Sequence, residues 1–198
     1  MKKLNLDKFK PESFIGLWNL ENKNLCKQII NFFEENKDLQ VIGSTSSGVD
    51  YSVKKTLDIT IDPKSLKEKK YEIFNNYFKN LNECFEDYKK QYPFLLDIAK
   101  KVHIGHFNIQ KYLKGDHFSK VHSERTNLST IHRIFAWMTY LNDVEDGGTT
   151  DFEYYDLKIK PEEGKTIIWP SEWTHAHKGS KLNSGSKYII TGWMHFTD

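Results

Sequence analysis

Near His103 the spacing of apolar residues changes from a helical period to a period of two, and this switch constrains the fold more than any other feature. Ahead of it, Leu25, Ile29, Ile30, Phe32 and Phe33 mark a helix over about 22–37. A second helical stripe runs through Phe74, Tyr77, Phe78, Leu81, Phe85 and Tyr88 and ends at Pro93. Asp62-Pro63 is expected to open that second helix, with Asp as the cap and Pro at the first helical position. Short strands are expected at 14–19 and 52–60, and behind the switch at 104–112, 118–124, 131–142, 150–159, 165–169, 174–179 and 186–196. Asp146-Gly147-Gly148 and Pro161-Glu162-Glu163-Gly164 supply turns between them. Helices first and many short strands after predict an α+β fold, a jelly-roll core with the N-terminal helices packed outside. One domain over 1–198 is expected, with 1–100 as helical support and 101–198 as the core.

Charge narrows the partners. The 29 basic and 27 acidic residues nearly cancel, and the lysines are spread rather than clustered, which gives no case for nucleic acid. Residues 1–8 lack the apolar core of a signal sequence, and no apolar run reaches membrane-spanning length, so a cytoplasmic protein without a membrane partner is expected. Cys26 and Cys84 each fall in an expected helix and imply no disulfide framework. Gly43-Ser44-Thr45-Ser46-Ser47-Gly48 reads as a connector or as a lid over a site.

Two metal-type ligands stand at i and i+2 in His122-Ser123-Glu124, and on a strand they share a face. A later histidine can complete a set of two imidazoles and one carboxylate, the facial triad of non-haem Fe(II) oxygenases. His175 and His177 share a face of the expected strand 174–179, so strand spacing alone does not choose between them. Lys187, Ile189, Thr191 and Trp193 alternate along the last strand and face one side. A lysine in so apolar a strand needs a partner for its charge. A lone His-x-acid is weak, since 8 histidines and 27 acidic residues produce about one by chance.

The order of further pieces is stronger. Tyr112 precedes His122, and Arg133 leads to Tyr140-Leu141-Asn142-Asp143 and Gly147-Gly148-Thr149-Thr150-Asp151-Phe152. Pro161 and Gly164, His177-x-Gly179, Gly185-x-Lys187 and Trp193 follow. Over roughly 105–196 this pattern resembles the 2-oxoglutarate and Fe(II)-dependent dioxygenases of the prolyl 4-hydroxylase type. The interval to Lys187 and the following Gly179 favour His177 over His175 as the third ligand.

The resemblance implies a double-stranded β-helix in which His122, Glu124 and His177 hold Fe(II) and are the catalytic residues. It implies that Lys187, Tyr140 and Thr191 bind the distal carboxylate of the cosubstrate 2-oxoglutarate, and that Tyr112 lies near its iron-binding end. Arg133 and Trp193 match positions on the substrate side in peptidyl-prolyl relatives. The implied reaction uses O2 to hydroxylate a C–H bond, first of all on a peptidyl-proline. A free amino acid or other small-molecule substrate is the alternative, and a non-catalytic jelly-roll binding module is the competing class. Two departures from the pattern are Glu124, where most relatives have Asp, and Ala136, where relatives often have Thr. Arg133 and Tyr140 are seven residues apart, so an unbroken strand points them to opposite faces, and a bulge, or Arg133 lying before the strand begins, is needed if both serve the site.

Overall fold

A computed structural model describes residues 12–45 and 47–197; the expectation for residues 1–8 and Ser46 of the expected lid lie outside the described residues. Strand β1 (Gly16–Asn19) and helix α1 (Lys23–Glu35) precede β2 (Val41–Ile42), β3 (Lys54–Lys55) and β4 (Leu57–Ile61). Helices α2 (Glu72–Gln91) and α3 (Leu95–Ile98) come next. The remainder is β5 (Val102–Ile104), β6 (Phe107–Leu113), β7 (His117–His122), β8 (Arg133–Tyr140) and β9 (Thr150–Phe152). Then follow β10 (Leu157–Ile159), β11 (Lys165–Pro170), β12 (His177–Gly179) and β13 (Ser186–Phe196).

The strands form two antiparallel sheets. The larger has the order β1-β11-β8-β13-β6-β4-β2, with β5 also on β13, and the smaller has the order β10-β9-β12-β7-β3. This is the expected jelly roll with helices outside. The first hundred residues contribute more than support, because β1, β2 and β4 extend the large sheet and β3 edges the small one.

Two apolar layers follow from strand alternation. Phe135, Trp137, Ile168 and Ile190 face α1 and α2, where Phe33, Phe74 and Phe85 meet them in a buried aromatic layer. Burying each such ring contributes about 1.5–3 kcal/mol. Ala136, Met138, Tyr140, Ile167, Trp169 and Ile189 point the other way, into the space between the sheets. Asn22 caps α1 through a hydrogen bond from the Leu25 amide, and α2 stops just before Tyr92-Pro93.

Several boundaries differ from expectation. Asp62 caps a 3-10 turn, Pro63–Lys67, and α2 begins only at Glu72 after a second such turn. The expected strand 150–159 is the hairpin β9–β10, turned through Asp156 at φ 49°. The expected strand 104–112 is divided between β5 and β6.

Candidate active site

The two sheets open onto a cavity of about 770 Å³. His122 ends β7 and His177 begins β12, and the two are direct partners across the antiparallel pair. Their rings stand 4.5 Å apart, His122 stacks on Phe118 at 3.9 Å, and Trp169 and Phe152 flank His177. Glu124 lies two residues beyond the end of β7, whereas the sequence placed it on the strand. Its Oε1 is 3.5 Å from His177 Nε2 and 3.9 Å from His122 Nε2.

The donor set fits a metal ion. Ligands about 2.1 Å from an ion stand about 3.0 Å apart at right angles and about 3.4 Å apart at tetrahedral angles. One donor atom from each of the three residues lies within 4.8 Å of the others, so small rotations close the set. His122 Nδ1 is 2.9 Å from the carbonyl of Lys120, and His177 Nδ1 is 3.0 Å from the carbonyl of His175. A carbonyl only accepts, so each Nδ1 carries the proton and each Nε2 presents its lone pair to the cluster. Burial, reinforced by His122, pulls the His177 pKa down to about 4, which keeps that imidazole neutral and ligand-ready.

His175 is a correction to the sequence reading. It sits in a 3-10 turn, Trp173–His175, and the strand begins only at His177, so the two do not share a strand face. Its Nε2 is 2.8 Å from the Ser13 carbonyl and its Nδ1 3.0 Å from Thr174 Oγ1. Both nitrogens are engaged away from the cluster.

At the other end of the cavity Lys187 on β13 is 3% exposed. Its ammonium donates to the Gly148 carbonyl at 2.9 Å, lies 4.0 Å over the Tyr112 ring, and makes no ion pair among the described residues. Burial lowers its pKa to about 7, with Asp151 opposing that shift weakly. Gly148 is needed for this approach: its φ is 68°, and a Cβ there would stand 3.2 Å from Lys187 Cδ.

The remaining expected residues divide. Tyr112, Thr191, Arg133 and Trp193 line the cavity; Tyr140 does not. The Tyr140 hydroxyl donates to the Ile159 carbonyl at 3.2 Å and meets Thr150 Oγ1 at 2.6 Å, sealed in the layer between the sheets. This differs from the expected carboxylate contact, because Thr150 and not Tyr140 reaches the cavity. Thr191 donates its hydroxyl hydrogen to the Trp137 carbonyl at 2.8 Å, which leaves only acceptor capacity toward the cavity. The Arg133–Tyr140 difficulty is resolved by a bulge. The β8–β13 register slips between Met194 and His195, leaving Ile134 unpaired and turning Arg133 inward.

A network absent from the sequence reading also lines the cavity. Lys54 Nζ contacts Asp58 Oδ2 at 2.6 Å, Thr56 donates to Asp58 Oδ1 at 2.7 Å, and Gln110 donates to Asp58 at 3.2 Å. Tyr112 in turn donates to Gln110 at 2.9 Å. The available signal was the alternate spacing of Lys54, Thr56 and Asp58 within the expected strand 52–60, which the structure divides between β3 and β4. Val41, Ile42, Ser44, Thr45 and Ser47 border the cavity mouth, where the lid was expected.

Residues 107–195 match the profile of the 2OG-Fe(II) oxygenase superfamily. The prolyl 4-hydroxylase subunit alpha-1 of Gallus gallus is 29% identical over 75 residues, 34% of this chain and 14% of that protein. The probable prolyl 4-hydroxylase 9 of Arabidopsis thaliana is 27% identical over 124 residues, 50% of this chain and 43% of that protein. The chain thus spans less than half the length of these curated relatives. Among solved structures, a viral collagen prolyl hydroxylase of Paramecium Bursaria Chlorella virus-1, as a 2OG complex, superposes with TM-score 0.68 at 17% identity. That match covers 93% of this chain and 97% of the viral one. A Trichoplax adhaerens prolyl hydroxylase in complex with a hypoxia inducible factor peptide fragment gives TM-score 0.70 at 15% identity, covering 93% and 84%. At these identities the structural likeness speaks to the fold.

Proposed function

We propose that this chain, whose residues 107–195 belong to the 2OG-Fe(II) oxygenase superfamily, is an Fe(II)- and 2-oxoglutarate-dependent dioxygenase that hydroxylates a prolyl residue in a peptide. The observation that carries the reading is one cavity with a His-Glu-His cluster and, elsewhere on its wall, a buried lysine without a carboxylate partner among the described residues. Such a lysine is costly unless an anion reaches it. A dicarboxylate long enough to place one carboxylate there and a 2-oxoacid group at the cluster satisfies both ends.

His122, Glu124 and His177 would hold the iron, and their two neutral imidazoles and one carboxylate leave adjacent positions for a chelating 2-oxoacid and O2. Ferrous iron supplies the chemistry that couples decarboxylation of 2-oxoglutarate to succinate and CO2 with insertion of the second oxygen atom into a C–H bond. The chain does the rest. Lys187 orients the distal carboxylate, Tyr112 packs its ring under that ammonium, and Gly148 keeps the approach open. Phe118 stacks on the His122 imidazole, and Phe152 and Trp169 pack against the buried His177 imidazole, which fixes the two rings in place.

The prolyl assignment is supported by the prolyl hydroxylases among the sequence relatives. The test is turnover with ferrous iron, 2-oxoglutarate and ascorbate against proline-rich peptides, free proline and other amino acids, read by succinate and by the mass of one added oxygen. Peptides should gain the oxygen at proline. If a free amino acid gains it and peptides do not, the small-molecule reading replaces this one.

A further inference from the structure

Glu124 carries one more methylene, and one more freely rotating bond, than the aspartate common at this position in the resembling family, so its carboxylate needs more to hold it in place. The structure provides that hold. Trp193 Nε1 donates to Glu124 Oε2 at 2.6 Å, a short charge-assisted hydrogen bond. Arg133 Nη1 donates to the Glu124 backbone carbonyl at 3.1 Å and stays 3.9 Å from Oε2. The guanidinium lies 3.7 Å over the Trp193 indole, so the two holding groups fix each other. Head and backbone of Glu124 are both gripped, and Oε1 alone is left facing the two Nε2 atoms.

We infer that Arg133 and Trp193 are positioning residues for the acidic ligand: a clamp that holds Glu124 as a single-oxygen donor. The bulge at Ile134 is what brings Arg133 into it. This role is distinct from the substrate contact that the sequence pattern implies for the same two residues. It rests on reading the cluster as a metal centre. Groups that orient a metal ligand in this way typically change metal affinity about 10–100-fold when removed.

The experiment titrates Co(II) alone into the full chain, without 2-oxoglutarate, for wild type, Trp193→Phe, Glu124→Asp and the double variant. Affinity, visible spectrum and metal-free melting temperature are recorded for each. Trp193→Phe keeps a ring under Arg133 and removes only the donor. It should weaken Co(II) binding about 10–100-fold and change the ligand-field bands as the freed Oε2 turns to the metal, with metal-free melting close to wild type. In the Glu124→Asp background the shorter carboxylate no longer reaches the indole, so Trp193→Phe should cost nothing more. Arg133→Lys, which loses the planar stack, should weaken binding less than Trp193→Phe, and serves as the second variant if Trp193→Phe does not fold.

If wild type and Trp193→Phe bind Co(II) equally, the clamp is wrong while the metal centre stands. Additive losses in the double variant, or weaker binding with an unchanged spectrum and a lowered melting temperature, also overturn it in favour of a merely structural tryptophan. If wild type binds no Co(II), the metal centre itself fails and the clamp with it.

Discussion

Lys187→Met should make the metal-free, ligand-free protein more stable while weakening its response to 2-oxoglutarate. Burial moves the Lys187 pKa from 10.5 to about 7, so folding at neutral pH either strips its proton or buries its charge. At about 1.4 kcal/mol per tenfold, that difference is an upper figure of about 5 kcal/mol. The variant gives back part of it, because the Gly148 carbonyl loses its donor, at about 1–3 kcal/mol. A net gain of at most about 2–4 kcal/mol remains, worth up to about 4–16 °C in melting temperature for a chain of this size. The sign of the pH dependence follows from the lowered pKa. Between about 7 and 10.5 the unfolded chain binds the extra proton, so the wild type gains stability as pH rises through that window and loses it as pH falls. The gap between variant and wild type should therefore be full below about pH 7 and close towards about pH 10.5. Thermal unfolding across pH, with and without 2-oxoglutarate and Mn(II), measures all of this. A variant less stable than wild type, a gap that ignores pH, or a variant stabilised by 2-oxoglutarate as strongly as wild type would refute the reasoning.

His177→Ala and Glu124→Ala should each abolish tight Co(II) binding in calorimetric titration, whereas His175→Ala should leave it close to wild type, since both His175 nitrogens bond elsewhere. Tyr140→Phe should lower stability by about 1–2 kcal/mol in urea unfolding and leave 2-oxoglutarate affinity unchanged, because its hydroxyl serves Thr150 and Ile159. Asp58→Leu strands the buried Lys54 ammonium and should cost about 3–5 kcal/mol. Adding Lys54→Met should restore most of that loss, as apolar replacement of a buried pair is often neutral; a double variant as unstable as the single one contradicts this.

The apolar stripes of α1 and α2 and the alternation after His103 were readable because each reports a single face, and the jelly roll followed from their order. Lys187 stood out for the same reason, as a cation among Tyr188, Ile189 and Ile190. What escaped was whatever depends on irregular backbone. His175 and His177 look equivalent at strand spacing, and only the 3-10 turn separates them. Glu124 leaves the strand after His122. The seven-residue interval between Arg133 and Tyr140 did call for an irregularity, and the one-residue slip at Ile134 supplies it. The partners of Tyr140 and Trp193 lie on other elements, ten and 69 residues away, so no local pattern could name them, whereas Asp58 stands only four residues from Lys54 and was within reach of one.

The most direct measurement is anaerobic. Ferrous iron and then 2-oxoglutarate are added to the protein in the absence of O2, and the visible spectrum is recorded. A 2-oxoacid chelated to iron in the His122–Glu124–His177 cluster gives a weak charge-transfer band, which should appear with wild type and be lost in His177→Ala. Lys187→Met should need on the order of a hundredfold more 2-oxoglutarate to produce it, the low end of the about 3–5 kcal/mol expected for an unpaired buried charge. No band with wild type at saturating iron and 2-oxoglutarate, or a band unchanged in His177→Ala, would contradict the assignment of this cavity as an iron and 2-oxoglutarate site.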